Sequence, residues 1–108
     1  MTTSIFQDYH LGESFTSSEA TKLVREIARF GDVQTTGYCR KRMVERQFSF
    51  QDLMSVLLNG EVKDQPEYDE AHDQFKYRVE GSTIDGDSAV AVTVIVSTRS
   101  VLVVTIFE

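Results

Sequence analysis

Two largely apolar runs near the end of the chain constrain its fold more than any other feature. Residues 89–96 and 101–107 are apolar at most positions of both alternating faces, and the turn "STRS" separates them. Apolar runs of this length joined by a short turn predict two paired strands in the middle of a sheet. Strands that are apolar on both faces require cover on both sides. Upstream helices can cover one face, and the N-terminal segment or a second subunit is the expected cover for the other.

The first half of the chain has the period of helices. A capping-box pattern, "TSSE", begins at Thr16, and apolar residues then recur at helical spacing as far as Gly31. We expect Gly31 to end this helix in the left-handed conformation. A second helical segment is predicted over about residues 38–46. Ser49 is the predicted N-cap of a third helix, which ends at Gly60.

From residue 61 onward the period changes to two. Phe75, Tyr77 and Val79 alternate with charged residues, as in a half-buried strand. Residues 32–36 form either a polar link or a short strand. The predicted class is α+β, with two to three N-terminal helices packed on a C-terminal antiparallel meander of three to four strands. Residues 16–108 form one predicted domain, preceded by residues 1–15, a segment without a clear period that we expect to fray.

Composition excludes several kinds of site. The chain has 108 residues, a net charge of −6, two histidines and one cysteine, Cys39. A lone cysteine forms no internal disulfide, and with two histidines it cannot complete a structural zinc site without carboxylates. We therefore predict no metal and no cofactor. Cysteine usage and the lack of a secretory or membrane-spanning pattern predict a cytoplasmic protein without membrane contact.

Positive charge is concentrated in one short stretch of this acidic chain. Arg40, Lys41, Arg42 and Arg46 lie within seven residues, whereas residues 61–108 carry a net charge of −6. If the segment is helical, Tyr38, Arg42 and Arg46 project from one face, and we call these three residues the basic strip. The arginine fork suits a phosphate or a carboxylate, and a neighbouring tyrosine can stack on a base.

A purely structural role for the basic strip is the alternative. Its arginines could pair with acidic residues of the second half and hold a helix to the sheet; the candidates are Glu67, Asp69 and Glu70. The loop around His72 collects five carboxylates, but it lacks the regular oxygen spacing of a calcium loop. We therefore interpret that loop as a solvated acidic surface.

The stretch "RMVERQFSFQDLMSVLLNGEV" resembles a bacterial family of unknown function with the pattern H-A-x-x-R-M-x-E-R. That family is grouped with RelE- and barnase-like ribonuclease toxins and is similar to the MqsR type. The resemblance covers residues 38–107 and implies helices packed on a sheet whose concave face holds RNA. It also implies a cognate antitoxin as partner. Tyr38 stands where the pattern has histidine, and histidine is the usual general base near neutral pH.

The resemblance implies a metal-independent endoribonuclease or a degenerate relative of one. In the enzyme reading, Arg42 and Arg46 hold the scissile phosphate, Tyr38 orients or stacks a base, and Thr105 donates a hydrogen bond from the sheet. Arg40 and Lys41 would add contacts to RNA. The other hypothesis is a non-catalytic protein–protein interaction module of the antitoxin, immunity or scaffold type, which binds a protein partner or a second copy as a homodimer.

Overall fold

The computed structural model describes residues 14–108, which form three helices and a six-stranded sheet. The helices are α1 (Ser17–Phe30), α2 (Gly37–Arg46) and α3 (Phe50–Asn59). The strands are β1 (Asp32–Thr35), β2 (Glu61–Val62), β3 (Glu67–Asp69), β4 (Gln74–Ser82), β5 (Ser88–Ser97) and β6 (Ser100–Phe107). Helices precede most strands along the chain, and the α+β class is confirmed.

The sheet is mixed, so the predicted antiparallel meander is wrong in part. Its order is β1-β6-β5-β4-β2, and β3 pairs with β4 outside this path. Strand β1 runs parallel to β6, in a register that joins Val33 to Val101, while the other pairs are antiparallel. The two strands of this parallel pair lie far apart in the sequence and are not joined by a turn. No local sequence pattern therefore predicts their pairing.

Helix α1 begins as predicted and ends differently. Thr16 and Glu19 form both bonds of the capping box, which confirms the start of the helix. Gly31 is extended, with φ −116° and ψ −152°, so the predicted left-handed cap is wrong. A Cβ on Gly31 would lie 2.3 Å from the carbonyl oxygen of Arg99. Glycine is required there because two backbones approach closely.

Helix α3 is capped and tied to the sheet by the same carboxylate. Ser49 and Asp52 form a capping box, which confirms the predicted N-cap. The second oxygen of Asp52 accepts a hydrogen bond from the backbone N–H of Ile84, in the β4–β5 turn. The hydrogen bond from the Ser49 N–H holds the pKa of Asp52 below its ordinary value. The charge of Asp52 also favours the positive end of the helix dipole.

One face of the sheet carries the hydrophobic core. All three helices pack on this face, where Val79, Ala91 and Val101 are essentially buried. Phe15 extends the core at its edge, and its backbone N–H donates to the buried Tyr77 hydroxyl at 2.8 Å. The prediction for residues 1–15 otherwise lies outside the described residues. Within residues 14–108, no helix has the length and apolarity needed to cross a membrane.

Candidate functional site

Helix α2 is anchored to β6 at its first turn. Thr36 accepts a hydrogen bond from the Cys39 N–H through its hydroxyl and donates the hydroxyl proton to the Val104 carbonyl at 2.8 Å. Its backbone N–H donates to the Val103 carbonyl at 3.1 Å. One threonine thus satisfies a helix terminus and fixes its position on the strand.

The inward side of α2 is apolar. Cys39 is fully buried and Met43 nearly so, and both belong to the core beneath the sheet-facing helices. Burial raises the pKa of the Cys39 thiol, and the nearby charge of Arg40 only partly opposes this. A buried thiol with a raised pKa is a poor nucleophile. Cys39 is therefore a core residue.

The outward flank of α2 carries the basic strip with its predicted four-residue spacing. Tyr38 is 59% exposed, and its ring is accessible to a ligand. Arg46 is also exposed and donates from Nη1 to Glu108 Oε1 at 3.0 Å. A solvent-exposed ion pair of this kind contributes little to stability. Arg46 is therefore only loosely held by its own chain.

Arg42 differs from its neighbours on the strip. Its side chain is half-buried, and its Nε is shielded from solvent without a hydrogen-bond partner. No ion pair among residues 14–108 includes Arg42. A buried donor without an acceptor costs about 1–3 kcal/mol. The structure therefore holds an uncompensated guanidinium beside an exposed tyrosine.

The other two basic residues predicted to contact RNA are arranged differently. Arg40 donates from Nη1 to the carbonyl oxygen of Thr35 at 2.6 Å and to its hydroxyl at 3.3 Å. This side chain stabilises the junction between β1 and α2. Lys41 is exposed on the next stripe of the helix. Of these two residues, Lys41 is the one available to a ligand.

Thr105 lies on the strand against which α2 packs. It pairs with Val92, on the face of the sheet opposite the core, and is half-buried. Thr105 therefore faces away from the side on which α2 packs, and its place in a site with the basic strip stays a prediction.

The acidic loop lies at the other end of the sheet. His72 bonds Asp69 at 2.8 Å, and Lys76 bonds the same carboxylate at 3.2 Å. The His72 bond, followed by the Lys76 bond, lowers the pKa of Asp69. Tyr68 donates to Asp73, and this bond raises the pKa of the tyrosine. Asp69 and Asp73 are thus both bonded to neighbouring side chains of the loop and of β4.

Arg46 pairs with Glu108, an acidic residue of the second half, so the structural alternative holds in part, through a residue that was not among its candidates. The predicted pairing of Arg42 or Arg46 with Glu67, Asp69 or Glu70 does not occur among the described ion pairs. His72 also cannot replace the histidine of the family pattern. It lies beyond β4, near the β5–β6 turn, and β5 separates that strand from β6. The other histidine of the chain, His10, lies outside the described residues.

Sequence reasoning missed an open groove between α1 and β2. The groove has a volume of about 810 Å³, and its lining includes Lys22, Arg25 and Arg29. These three basic residues recur at helical spacing on the polar face of α1, a signal that was available in the sequence. Arg25 donates to the carbonyls of Asn59 and Gly60 and so caps the end of α3. The Arg25 side chain therefore has a structural role at the end of α3.

Comparison with known families identifies the domain. The model of the DUF4258 family, a domain of unknown function, matches residues 36–108. The match covers most of the chain, and the protein belongs to this family. The matched region begins at Thr36, the N-cap of α2, and includes the basic strip and β6. No curated protein and no solved structure matched. The grouping with ribonuclease toxins stays a prediction.

Proposed function

We propose that the protein binds single-stranded RNA through the basic strip and does not cleave it. The observation that carries this proposal is the guanidinium of Arg42, which has no acceptor among the described residues. Nε is buried, whereas the residue as a whole is only half-buried, so part of the side chain reaches the surface. Phosphate oxygens match the planar donors of arginine and would compensate its charge.

Tyr38 favours a nucleic acid over a simple anion. The ring is exposed and lies one helical turn before Arg42, which places an aromatic face and a cation side by side. Stacking of a base on an aromatic side chain contributes about 1–3 kcal/mol and tolerates any base. A base on Tyr38 and a phosphate on Arg42 together describe a single-stranded nucleic acid, of which RNA is the kind that the family resemblance favours.

Local charge predicts weak and salt-sensitive binding. Glu108 already neutralises part of the charge on Arg46, and the whole chain has a net charge of −6. Only Arg42 and Lys41 then remain without a bonded partner among the basic residues of α2. Each phosphate neutralised on a single strand contributes about −0.7 to the slope of log K against log salt. We expect a slope of about −1 to −2.

Two features support binding without cleavage. Tyr38 occupies the position of the histidine in the family pattern, and the described histidine, His72, lies at the far end of the sheet. Proton transfer by a positioned imidazole is the usual way to activate the 2′-hydroxyl of RNA near neutral pH. The basic strip offers positive charge and a stacking surface, which suffice for binding.

Fluorescence anisotropy with a labelled 12-nucleotide single-stranded RNA at low salt tests the proposal. Arg42→Ala is expected to weaken binding about 10-fold or more, because a charge-assisted hydrogen bond contributes about 1.5–3 kcal/mol. Arg42→Lys retains the charge without the fork and should lie between wild type and Arg42→Ala. The matched control is Arg99→Ala, an exposed arginine at the opposite end of β6.

Two results would overturn the proposal. One is a wild-type protein that shows no binding to the RNA at a protein concentration of about 100 µM in low salt. A Kd of about 100 µM corresponds to a binding free energy of about −5.5 kcal/mol. The other is an equal loss of affinity in Arg42→Ala and Arg99→Ala. Incubating the same RNA with the protein and resolving it on a denaturing gel tests whether the protein cleaves RNA. Cleavage by the wild-type protein that disappears in Arg42→Ala would show that the protein is a ribonuclease.

A further inference from the structure

Both ends of α2 are bonded to the second half of β6 and the residue after it. At the start of the helix, Thr36 donates to two carbonyls of β6 through its hydroxyl and its backbone N–H. At the end of the helix, Arg46 donates to Glu108, which directly follows the last strand residue. The ten residues of α2 span about 14 Å, and residues 104–108 span about 13 Å when extended. The fold therefore holds Glu108 beside the last turn of α2.

Arg46 is the third member of the basic strip and lies one helical turn after Arg42. For a strand that stacks a base on Tyr38 and places a phosphate on Arg42, the next cation along the same helix face is Arg46. Its guanidinium would suit a second phosphate. In the structure, however, its Nη1 donates to the Glu108 carboxylate at 3.0 Å. Carboxylate and phosphate oxygens accept from the same donors, so the two groups compete for Arg46.

The ion pair between Arg46 and Glu108 is accessible to a ligand. The two side chains are 47% and 59% exposed, and one hydrogen bond joins them in the part of the chain that the structure describes. Exposed pairs of this kind add little to stability, so the fold does not depend on the contact. A ligand that must displace Glu108 loses about 1.5- to 5-fold in affinity. The contact is therefore weak enough to be broken and strong enough to be measured.

We propose that Glu108 is an autoinhibitory residue of the basic strip, which occupies Arg46 and limits bound RNA to the phosphate contacts of Arg42 and Lys41. The inference rests on the proposed RNA binding and concerns its regulation. In the free chain, Glu108 supplies the counter-charge of Arg46. When RNA is present, Glu108 both competes for the guanidinium and repels a phosphate that approaches it. Removing the charge of Glu108 therefore adds Arg46 to the phosphate-binding residues.

Fluorescence anisotropy with the labelled 12-nucleotide RNA, repeated at several salt concentrations, tests the proposal on the full chain. Glu108→Gln keeps the size of the side chain and removes its charge. This variant should bind about 2- to 5-fold more tightly at low salt. Its slope of log K against log salt should be steeper by about 0.7, because one further phosphate is neutralised. The matched control is Glu67→Gln, which changes the net charge equally at an exposed position on β3 and should leave the slope unchanged.

A double variant shows whether Glu108 acts through Arg46. In an Arg46→Gln background, Glu108→Gln should no longer raise the affinity. A gain that persists in this background, or that Glu67→Gln reproduces, would overturn the proposal. If Arg42→Ala weakens binding as expected but Glu108→Gln binds like the wild type, this inference alone is wrong. If neither the wild type nor Glu108→Gln binds the RNA, the RNA site and this inference are both wrong.

Discussion

The three members of the basic strip share spacing and charge but differ in their surroundings. Arg46 has a carboxylate partner, and Tyr38 lies open to solvent. Arg42 alone keeps a polar atom buried without a partner. An arrangement that costs stability and meets no internal need is typical of a binding position. This contrast is why Arg42, and not Arg46, carries the proposed function.

Arg42→Met is expected to stabilise the fold. Methionine fills similar space along the side chain and removes the desolvated Nε, which should raise the free energy of unfolding by about 1 kcal/mol. For a domain of this size, the midpoint of thermal unfolding should rise by about 4–8 °C. Thermal denaturation followed by circular dichroism measures the change.

The matched substitution is Arg46→Met. It removes an exposed ion pair with Glu108, and stability should stay the same or fall by less than about 1 kcal/mol. A fall in stability for Arg42→Met equal to or larger than that of Arg46→Met would contradict the view that Arg42 is uncompensated.

At the residue level, the sequence predicted the strip and not its partners. Four-residue spacing was enough to align Tyr38, Arg42 and Arg46, because the helical period sets their common face. Glu108, however, is 62 residues away from Arg46 along the chain. Its contact depends on the position of α2 beside β6. Long-range pairing of this kind has no local signature, which is why acidic loop residues were predicted instead.

At the scale of elements, helix starts were more predictable than helix ends. Thr16 and Ser49 were recognised because capping boxes are local patterns of four residues. Gly31 was misinterpreted because its role depends on the distant Arg99 backbone. Gly60 marks a similar close approach, since a Cβ there would lie 2.7 Å from the carbonyl oxygen of Glu80 on β4.

Gly60→Ala is therefore expected to destabilise the protein. The added Cβ would also lie 2.4 Å from the Val56 carbonyl oxygen, and neither backbone oxygen can yield as a flexible side chain would. The free energy of unfolding should fall by about 2–3 kcal/mol, the usual cost of overpacking. Urea denaturation measures the fall.

Gly37→Ala provides the control at the start of α2. Its nearest neighbour would be Arg40 Nη2 at 3.7 Å, an ordinary contact with a flexible side chain. Stability should remain the same or rise by up to about 1 kcal/mol. A similar loss in both variants would show that the α3–β4 contact is not the reason for the glycine at position 60.

For the whole molecule, the α+β class followed from the change of period, whereas the topology did not. Short strands such as β1 and β3 contain too few residues for a pattern, and their pairing is set by the tertiary fold. The two continuous apolar runs predicted that both sheet faces need cover. The structure supplies helices to one face, and the remaining apolar residues, such as Val94 and Leu102, lie on the other face.

The resemblance to ribonuclease toxins placed RNA on the sheet itself. In this chain the sheet face opposite the core is lined by valine, leucine and phenylalanine side chains, which suit a phosphate backbone poorly. Positive charge lies instead along α2, at the edge of β6. The proposed RNA site therefore lies on the edge helix and not on the sheet.

The most direct test of the basic strip is a nuclear magnetic resonance titration that observes the Nε–H signals of arginine side chains. Addition of a short single-stranded RNA at low salt should shift the Arg42 signal, together with the backbone signals of Tyr38 and Lys41. The Arg99 signal should stay in place. Shifts confined to the groove lined by Arg25 and Arg29, with the Arg42 signal unmoved, would contradict RNA binding at the basic strip.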